Sequence, residues 1–219
     1  MSLSRKTSFE DVAAELVPKP SLQRMPWYLA YVGRLRLQGV ANVTSTQLSR
    51  ELNVDASQIA KDLSYLNVRG KTRIGYDVAS LDNALADFLG FRRGHAAVIF
   101  GVGSLGGALL SDRGLEHYGL NIVAGFDIDA AKINPEAPVP VYDVSEHIRQ
   151  ISRLKAEIAI LTVPHAVVQE VADMAVAAGI RALWNFTPHK LLVPRNVVVQ
   201  DTPLYSDLAL IYNQLIARK

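Results

Sequence analysis

The segment Gly101-Val102-Gly103-Ser104-Leu105-Gly106 constrains this chain more than any other, because of what flanks it. The apolar run Ala96 to Phe100 reads as a strand leading directly into it, and Leu105 to Leu110 reads as the start of a helix. Strand, Gly-x-Gly-x-x-Gly and helix in that order form the dinucleotide fingerprint. Gly101 permits the tight turn, Gly103 lets a pyrophosphate approach the backbone, and Gly106 allows close helix–sheet packing. The helix start adds unpaired N–H groups and a positive dipole end. A glycine pattern alone could merely join a strand to a helix. Here a second strand, Asn121 to Asp127, ends in an acid placed to accept hydrogen bonds from an adenosine ribose. A carboxylate there repels a 2′-phosphate, which favours NAD(H) over NADP(H). Asp129 is the alternative ribose ligand.

After the fingerprint, β-rich runs keep alternating with helical ones. Ile158 to Val163 is a strand that carries Thr162-Val163-Pro164 to its carboxyl end, and His165 to Ala178 reads as a helix ended by Gly179. Ala182 to Phe186 is the next strand, leading into Asn185-Phe186-Thr187-Pro188, and Val197 to Gln200 is another. Such alternation predicts βαβ units: a doubly wound, mainly parallel sheet with helices on both faces. Ligands of such sheets sit at the carboxyl edge, so Thr162, Val163, Pro164, Asn185 and Phe186 become candidate walls of the nicotinamide side. The other reading of these segments is turn chemistry, since Pro and Thr commonly leave strands. Residues 86–202 are assigned to this Rossmann domain and 203–219 to a C-terminal helix. Leu204, Leu208, Ile211, Tyr212 and Leu215 give that helix the apolar face of a docked or swapped element, or of an ordinary terminal helix on its own domain.

Residues 1–85 have a different character, with apolar residues at helical spacing. Thr44-x-x-Gln47 is a capping box, Asn53-Val54-Asp55 a turn, and Asp55 with Gln58 repeats the cap arrangement before a helix from Ala56 to Leu66. Ile59, Leu63 and Leu66 face inward, leaving Ser57, Gln58, Lys61, Ser64 and Tyr65 as candidate DNA contacts of a helix-turn-helix. Arg69, Lys71 and Arg73 follow with no acid among them, as a basic wing meeting phosphate would. A small helical subdomain serving only dimerisation would read the same way on spacing alone.

The net charge of +2 conceals an asymmetry: residues 1–85 hold eleven Lys and Arg against eight Asp and Glu, the remainder twelve against thirteen. The chain has no cysteine, which excludes disulfides, thiolate metal sites and thiol redox sensing. No metal-ligand spacing is evident. The polar start, Met1 to Glu10, lacks a secretory core, and the apolar runs are too short to span a membrane, so a cytoplasmic protein is expected.

Taken together, the chain resembles the Rex family of bacterial redox-sensing transcriptional repressors, from about Lys19 to the C-terminus. The resemblance rests on Val54 to Tyr65 with Lys61-Asp62-Leu63-Ser64-Tyr65, on Gly101 to Gly106, on Phe126-Asp127-Ile128-Asp129 and on Asn185-Phe186-Thr187-Pro188. Thr162-Val163-Pro164 and Ser206-Asp207-Leu208 fit too. It implies a homodimer of winged-helix and Rossmann domains with swapped C-terminal helices. Such a protein binds double-stranded operator DNA at low NADH, releases it when NADH binds, and catalyses nothing. NAD(+) competes weakly and favours the DNA-bound arrangement. Arg24 and Asp207 match positions implicated in coupling the pocket to the DNA-binding domain, and Asp112 stands at a tyrosine that takes part in the switch. The resemblance thus implies a switch set of Arg24, Asp112 and Asp207, in which Asp112 near Asp207 would make a like-charge pair. Further departures are Ser104 for asparagine, Ala60 for a recognition-helix arginine, and Lys71-Thr72-Arg73-Ile74 in the wing. Before Lys19, Phe9 to Leu16 reads as an added helix.

Two other functions compete. A dimeric NADH-binding protein that has lost specific DNA recognition would explain Ala60 and the altered wing. A dehydrogenase would need an acid or base at the nicotinamide face, where His165 and His189 are the candidates.

Overall fold

Three buried apolar clusters, one in the first unit and two on opposite faces of a sheet in the second, organise the chain in a computed structural model that describes residues 17–202 and 204–217. The expected helix at Phe9 to Leu16 lies outside the described residues. The units divide at Met1–Arg93 and Gly94–Lys219. The break expected at residue 85 falls eight residues later, because the helix Val78–Phe88 buries Val78, Leu81 and Leu85 in the first core. The C-terminal segment clusters with the second unit rather than standing alone.

In the first unit, α1 (Lys19–Leu37) starts behind Pro18 and buries Ser21, Met25, Tyr28 and Val32 along one stripe. α2 (Ser45–Leu52) carries the expected capping box: Gln47 N–H donates to the Thr44 hydroxyl, and the Gln47 side-chain oxygen accepts from the Thr44 N–H. Asn53, left-handed at φ 52°, ends α2 and turns the chain into α3 (Ala56–Leu63). α3 is three residues shorter than the spacing predicts, although Leu66 beyond it is still buried. A two-stranded antiparallel ribbon, β1 (Asn42–Val43) with β2 (Tyr76–Asp77), precedes α4 (Val78–Phe88).

The wing closes through paired backbone bonds between Lys71 and Gly75, both 2.8 Å. Gly75 has φ +91°, and a Cβ there would collide with the Val43 carbonyl. Gly75→Ala is therefore expected to destabilise this unit by at least about 2 kcal/mol. A urea melt of the first unit's transition checks it, and NADH affinity should not change.

The second unit is a six-stranded, wholly parallel sheet: β3 (His95–Phe100), β4 (Leu120–Asp127), β5 (Val141–Asp143), β6 (Ile158–Leu161), β7 (Ala182–Asn185) and β8 (Val198–Asp201). The spatial order is β5-β4-β3-β6-β7-β8, the doubly wound Rossmann order. Residues of β3 alternate between two cores: Val98 and Phe100 join one, Ala97 and Ile99 the other. The sheet is thus buried on both faces, as a parallel sheet requires. Leu109 and Leu110 of α5 (Ser104–Ser111) pack against one core. Ile151 of α6 (His147–Leu154) and Val168, Val171, Ala172 and Ala175 of α7 (Val168–Ala177) pack against the other. The expected helical start at His165 is instead a turn, Val167 N–H donating to the Pro164 carbonyl at 3.1 Å. β5 and α6 lie between the strands predicted at Asn121 to Asp127 and Ile158 to Val163, where the sequence predicts no element.

The last element, α8 (Leu204–Ala217), leaves Leu208, Ile211, Tyr212 and Leu215 between 40% and 60% exposed. The Leu204 side chain lies outside the described residues.

Candidate nucleotide-binding site and nucleic-acid interface

The reversal of strand order between β3 and β6 opens a crevice at their carboxyl ends, and the glycine loop fills its rim. Gly101, at φ +91°, takes a left-handed turn pressed against Thr162, a Cβ there lying 3.0 Å from the Thr162 carbonyl carbon and oxygen. The Thr162 hydroxyl donates to the carbonyls of Phe100 and Gly101 at 3.1 and 2.7 Å, pinning the loop to β6. Gly106 is buried where any Cβ would strike the Gly101 carbonyl. Gly103 is different: it is exposed, and nothing lies within 4 Å of where its Cβ would stand. As the N-cap of α5 it offers no side-chain cap, so the first amides, at Ser104, Leu105 and Gly106, remain available to an anion. The loop therefore fits a pyrophosphate: an open approach at Gly103, a helix amino end behind it, and a rigid base.

Asp127 closes the other side. Its carboxylate accepts from Val102 N–H at 2.6 Å and from Asp129 N–H at 2.9 Å, so the acid ending β4 is bound to the glycine loop itself. Asp129 is exposed and accepts from Ala131 N–H at 3.0 Å, capping the following turn. Asp127 is thus the acid held against the phosphate loop, with Asp129 supporting the backbone beyond it.

A cleft of about 330 Å³ continues along the sheet edge, within the range of roughly 300–1,000 Å³ common for small-ligand sites. Leu105, Thr162, Val163, Pro164 and Phe186 line it, together with His165, Thr187, Pro188 and Tyr205. Phe186 stands against Trp184, ring centroids 4.8 Å apart, which fixes its ring. Asn185 does not belong to this wall. It is fully buried, its amide donating to the His189 carbonyl and to Asp201 while its oxygen accepts from the Thr187 amide and hydroxyl. Every polar atom of the side chain holds the β7 exit loop in place, so Asn185 shapes the cleft from behind. Thr187 and Pro188 belong to the same segment that the sequence places at this edge, and they line the cleft beside Phe186. Tyr205 carried no sequence signal, because its position depends on where α8 begins.

In the first unit, Lys61 and Ser57 are exposed on α3. The Ser57 hydroxyl donates to Asp55, and the Ser64 hydroxyl to the Lys61 carbonyl, so both are tied to their own helix. Tyr65 is half-buried against the core. Gln58 departs from its expected outward role: its amide donates to Asp62 at 2.8 Å rather than reaching solvent or completing a second capping box. Asp55 alone caps α3, accepting from the amides of Ser57 and Gln58. Arg69, Lys71 and Arg73 are all exposed, Arg69 and Lys71 beside a depression of about 630 Å³ at the wing. Arg73 is left-handed at φ 66°, a strained geometry for a side chain other than glycine.

Asp62, which spacing did not single out, is the central polar residue of this unit. It is fully buried on α3 and accepts from Arg24 Nε and Nη2 at 2.7 and 2.8 Å, from the Tyr28 hydroxyl at 2.7 Å and from Gln58. Burial pushes its carboxyl up, but hydrogen bonds from Arg24, Tyr28, Ser21 and Gln58 outweigh that and hold it down at about 2. Burial first, then the bond to Asp62, raises the Tyr28 phenol above its ordinary range. Arg24 is likewise raised, chiefly by its bond to Asp62. The guanidinium assigned to the switch therefore joins α1 to α3 here. Asp112 is exposed and accepts from Gly114 N–H at 2.8 Å, while Asp207 sits exposed in the first turn of α8. Among the described residues no group of His, Asp or Glu could hold a metal, and no helix is long and apolar enough to cross a membrane.

Comparison with known proteins bears on both units. The family model for the N-terminus of putative DNA-binding proteins matches residues 16–64, and that for the CoA binding domain matches residues 93–189. A redox-sensing transcriptional repressor Rex from Bacteroides thetaiotaomicron is 46% identical over 214 residues, covering 97% of each chain. Another from Porphyromonas gingivalis is 50% identical over 200 residues, covering 91% of this chain and 92% of its own. Among solved structures, RSP in complex with β-NAD(+) and operator DNA matches with a TM-score of 0.88 at 33% identity, covering 93% of this chain and 94% of that one. RSP in complex with β-NADH matches at 0.82, again 33% identical, over 93% and 96% of the two chains. The chain therefore belongs to the Rex family of redox-sensing transcriptional repressors.

Proposed function

We propose that this protein is a DNA-binding repressor that reads the NADH/NAD(+) ratio, holding operator DNA at low NADH and releasing it when NADH binds. The observation that carries the reading is the pairing in one chain of a capped helix-turn-helix with a glycine cradle open only at Gly103. The relatives named as repressors and the RSP complexes with operator DNA, β-NAD(+) and β-NADH support it. NADH would lay its pyrophosphate on the α5 amides, its adenosine ribose on Asp127 and its nicotinamide in the cleft walled by Thr162, Val163 and Phe186. Bound NADH serves as a regulatory ligand, so no hydride leaves it. The functional unit is a homodimer in the cytoplasm, in which the exposed apolar face of α8 docks on a second copy.

Lys61, Arg69, Lys71 and Arg73 meet the DNA, Lys61 from α3 and the others from the wing. Gln58 serves through Asp62 by orienting α3. Genomic fragments selected on the protein, then tested by gel shift, should yield a preferred duplex that NADH releases and an equal concentration of NAD(+) does not. Absence of any preferred duplex would favour the NADH-binding protein without operator recognition. Lys61→Ala should weaken binding to that duplex by about 1–3 kcal/mol while NADH affinity, followed by calorimetry, stays the same.

A further inference from the structure

We propose that Trp184 is a positioning residue of the response to NADH: its indole ties the cleft wall at Phe186 to Thr202, the root of the C-terminal helix. The assignment rests on the reading above that NADH fills this cleft and that α8 docks on a second copy. It starts from α8 itself. Every described side chain of that helix, from Tyr205 to Ala217, is exposed, so packing on its own unit does not set its direction. The anchor lies at its root, in Asp201 and Thr202.

β7 grips that dipeptide from both faces of the sheet, since Trp184 and Asn185 are consecutive strand residues and point to opposite sides. On one side the Asn185 amide donates to the Asp201 carboxylate at 2.9 Å, and Lys190 donates to its other oxygen at 2.5 Å. On the other side the Trp184 indole N–H donates to the Thr202 hydroxyl at 2.9 Å. Between them the Thr202 N–H donates to the Asn185 carbonyl at 2.8 Å.

Trp184 also reaches the cleft. Its ring lies 4.8 Å from that of Phe186, and both pack against Ala97, Ile99 and Ile160. Those three are wholly buried, so the ring pair has a firm back and passes a displacement on rather than absorbing it. A ligand filling the cleft meets Phe186, which is part of its wall. A shift of that ring moves the indole, and the hydrogen bond carries the shift to Thr202, just ahead of Leu204 where α8 begins. A small rotation at the root becomes a larger displacement along this helix, about 21 Å long, whose exposed apolar residues extend to Leu215 and Ile216. The bond is a strut, present with and without ligand. Its loss uncouples the helix from the cleft without weakening either binding site.

The test compares the native full-length protein with T202V, T202S, W184F and the double variant W184F/T202V. T202V keeps the shape and backbone N–H of Thr202 but loses its hydroxyl, and W184F keeps a ring beside Phe186 but loses the donor. Gel shifts on the selected duplex, without and with saturating NADH, give the factor by which NADH weakens DNA binding. In T202V and W184F that factor should fall roughly fivefold, what one hydrogen bond contributes. DNA affinity without NADH, and NADH affinity by calorimetry without DNA, should keep their native values. T202S retains the hydroxyl and should retain the native factor. The double variant should fall no further than either single one, because both remove the same bond. A native factor in T202V and W184F, or additive losses in the double variant, overturns the coupling role while leaving the functional reading intact. Loss of NADH binding in both single variants would make Trp184 and Thr202 supports of the cleft alone, and overturns the role equally. A native chain whose DNA binding NADH does not weaken overturns the reading and the inference together.

Discussion

Asp62→Ala is expected to cost the first unit about 3–5 kcal/mol of stability, the range for breaking a buried ion pair by removing one partner. The carboxylate joins α1 to α3 by accepting from Arg24, Tyr28 and Gln58, and it is wholly buried. Its loss leaves the Tyr28 hydroxyl buried without an acceptor, while Arg24, 23% exposed, can turn part of its charge to water. The value should therefore fall toward the lower end of that range. Because α3 is the helix proposed to read DNA, the variant should lose operator affinity while retaining the NADH affinity of the second unit. Urea unfolding of the first transition measures the stability change, and a loss below about 1 kcal/mol would contradict the network.

The same carboxylate sets an acid limit. Its folded value of about 2 lies below the ordinary carboxylate value of 3.8, so its contribution is present above that ordinary value and is lost as pH falls toward 2. The difference corresponds to about 2 kcal/mol. The native first unit should lose that amount between roughly pH 4 and pH 2, and Asp62→Asn should show a flatter profile over the same window.

The second large effect concerns two glycines of one loop, which should fail in different ways. Gly106→Ala forces a methyl into the Gly101 carbonyl and against the Thr162 hydroxyl, both part of the rigid base of the loop. It should destabilise the second unit by about 1–3 kcal/mol and abolish NADH binding. Gly103→Ala meets nothing within 4 Å in the protein, so the fold should melt at nearly the native temperature. Its methyl would stand where the pyrophosphate must approach, and NADH affinity should fall by roughly a hundredfold, about 2.7 kcal/mol. Thermal melts alongside NADH titrations separate the two. Equal behaviour of the variants would mean that the open face at Gly103 is not the ligand face.

The parts of this molecule legible in its sequence are those whose cause is local. The β3–loop–α5 unit is written in consecutive residues, and the capping box of α2 needs only Thr44 and Gln47. β5 escaped because three residues carry too little pattern; Val141 to Asp143 become a strand only by pairing with Gly125 to Asp127. The helix expected from His165 begins at Val168 because the chain after Pro164 closes a turn first. Gln58 and Asn185 both engage their side-chain amides within the protein, and for one shared reason. Their partners, Asp62 for Gln58 and Asp201 and His189 for Asn185, are set by the fold, and spacing alone does not tell an outward amide from one turned inward. Asp62 itself lay in view, an acid on the same stripe as Ile59, Leu63 and Leu66, and a carboxylate on a buried face calls for a cation such as Arg24.

Operator DNA and NADH are proposed to bind one protein at each other's expense. Thermodynamic linkage makes this testable from the nucleotide side, since the factor by which NADH weakens DNA binding must equal the factor by which DNA weakens NADH binding. NADH affinity should be measured by calorimetry on the full-length protein, free and then saturated with its selected duplex, at one salt concentration. NADH should bind more weakly in the presence of DNA, by the same factor found in the gel-shift titration. Equal NADH affinity with and without the duplex would contradict it.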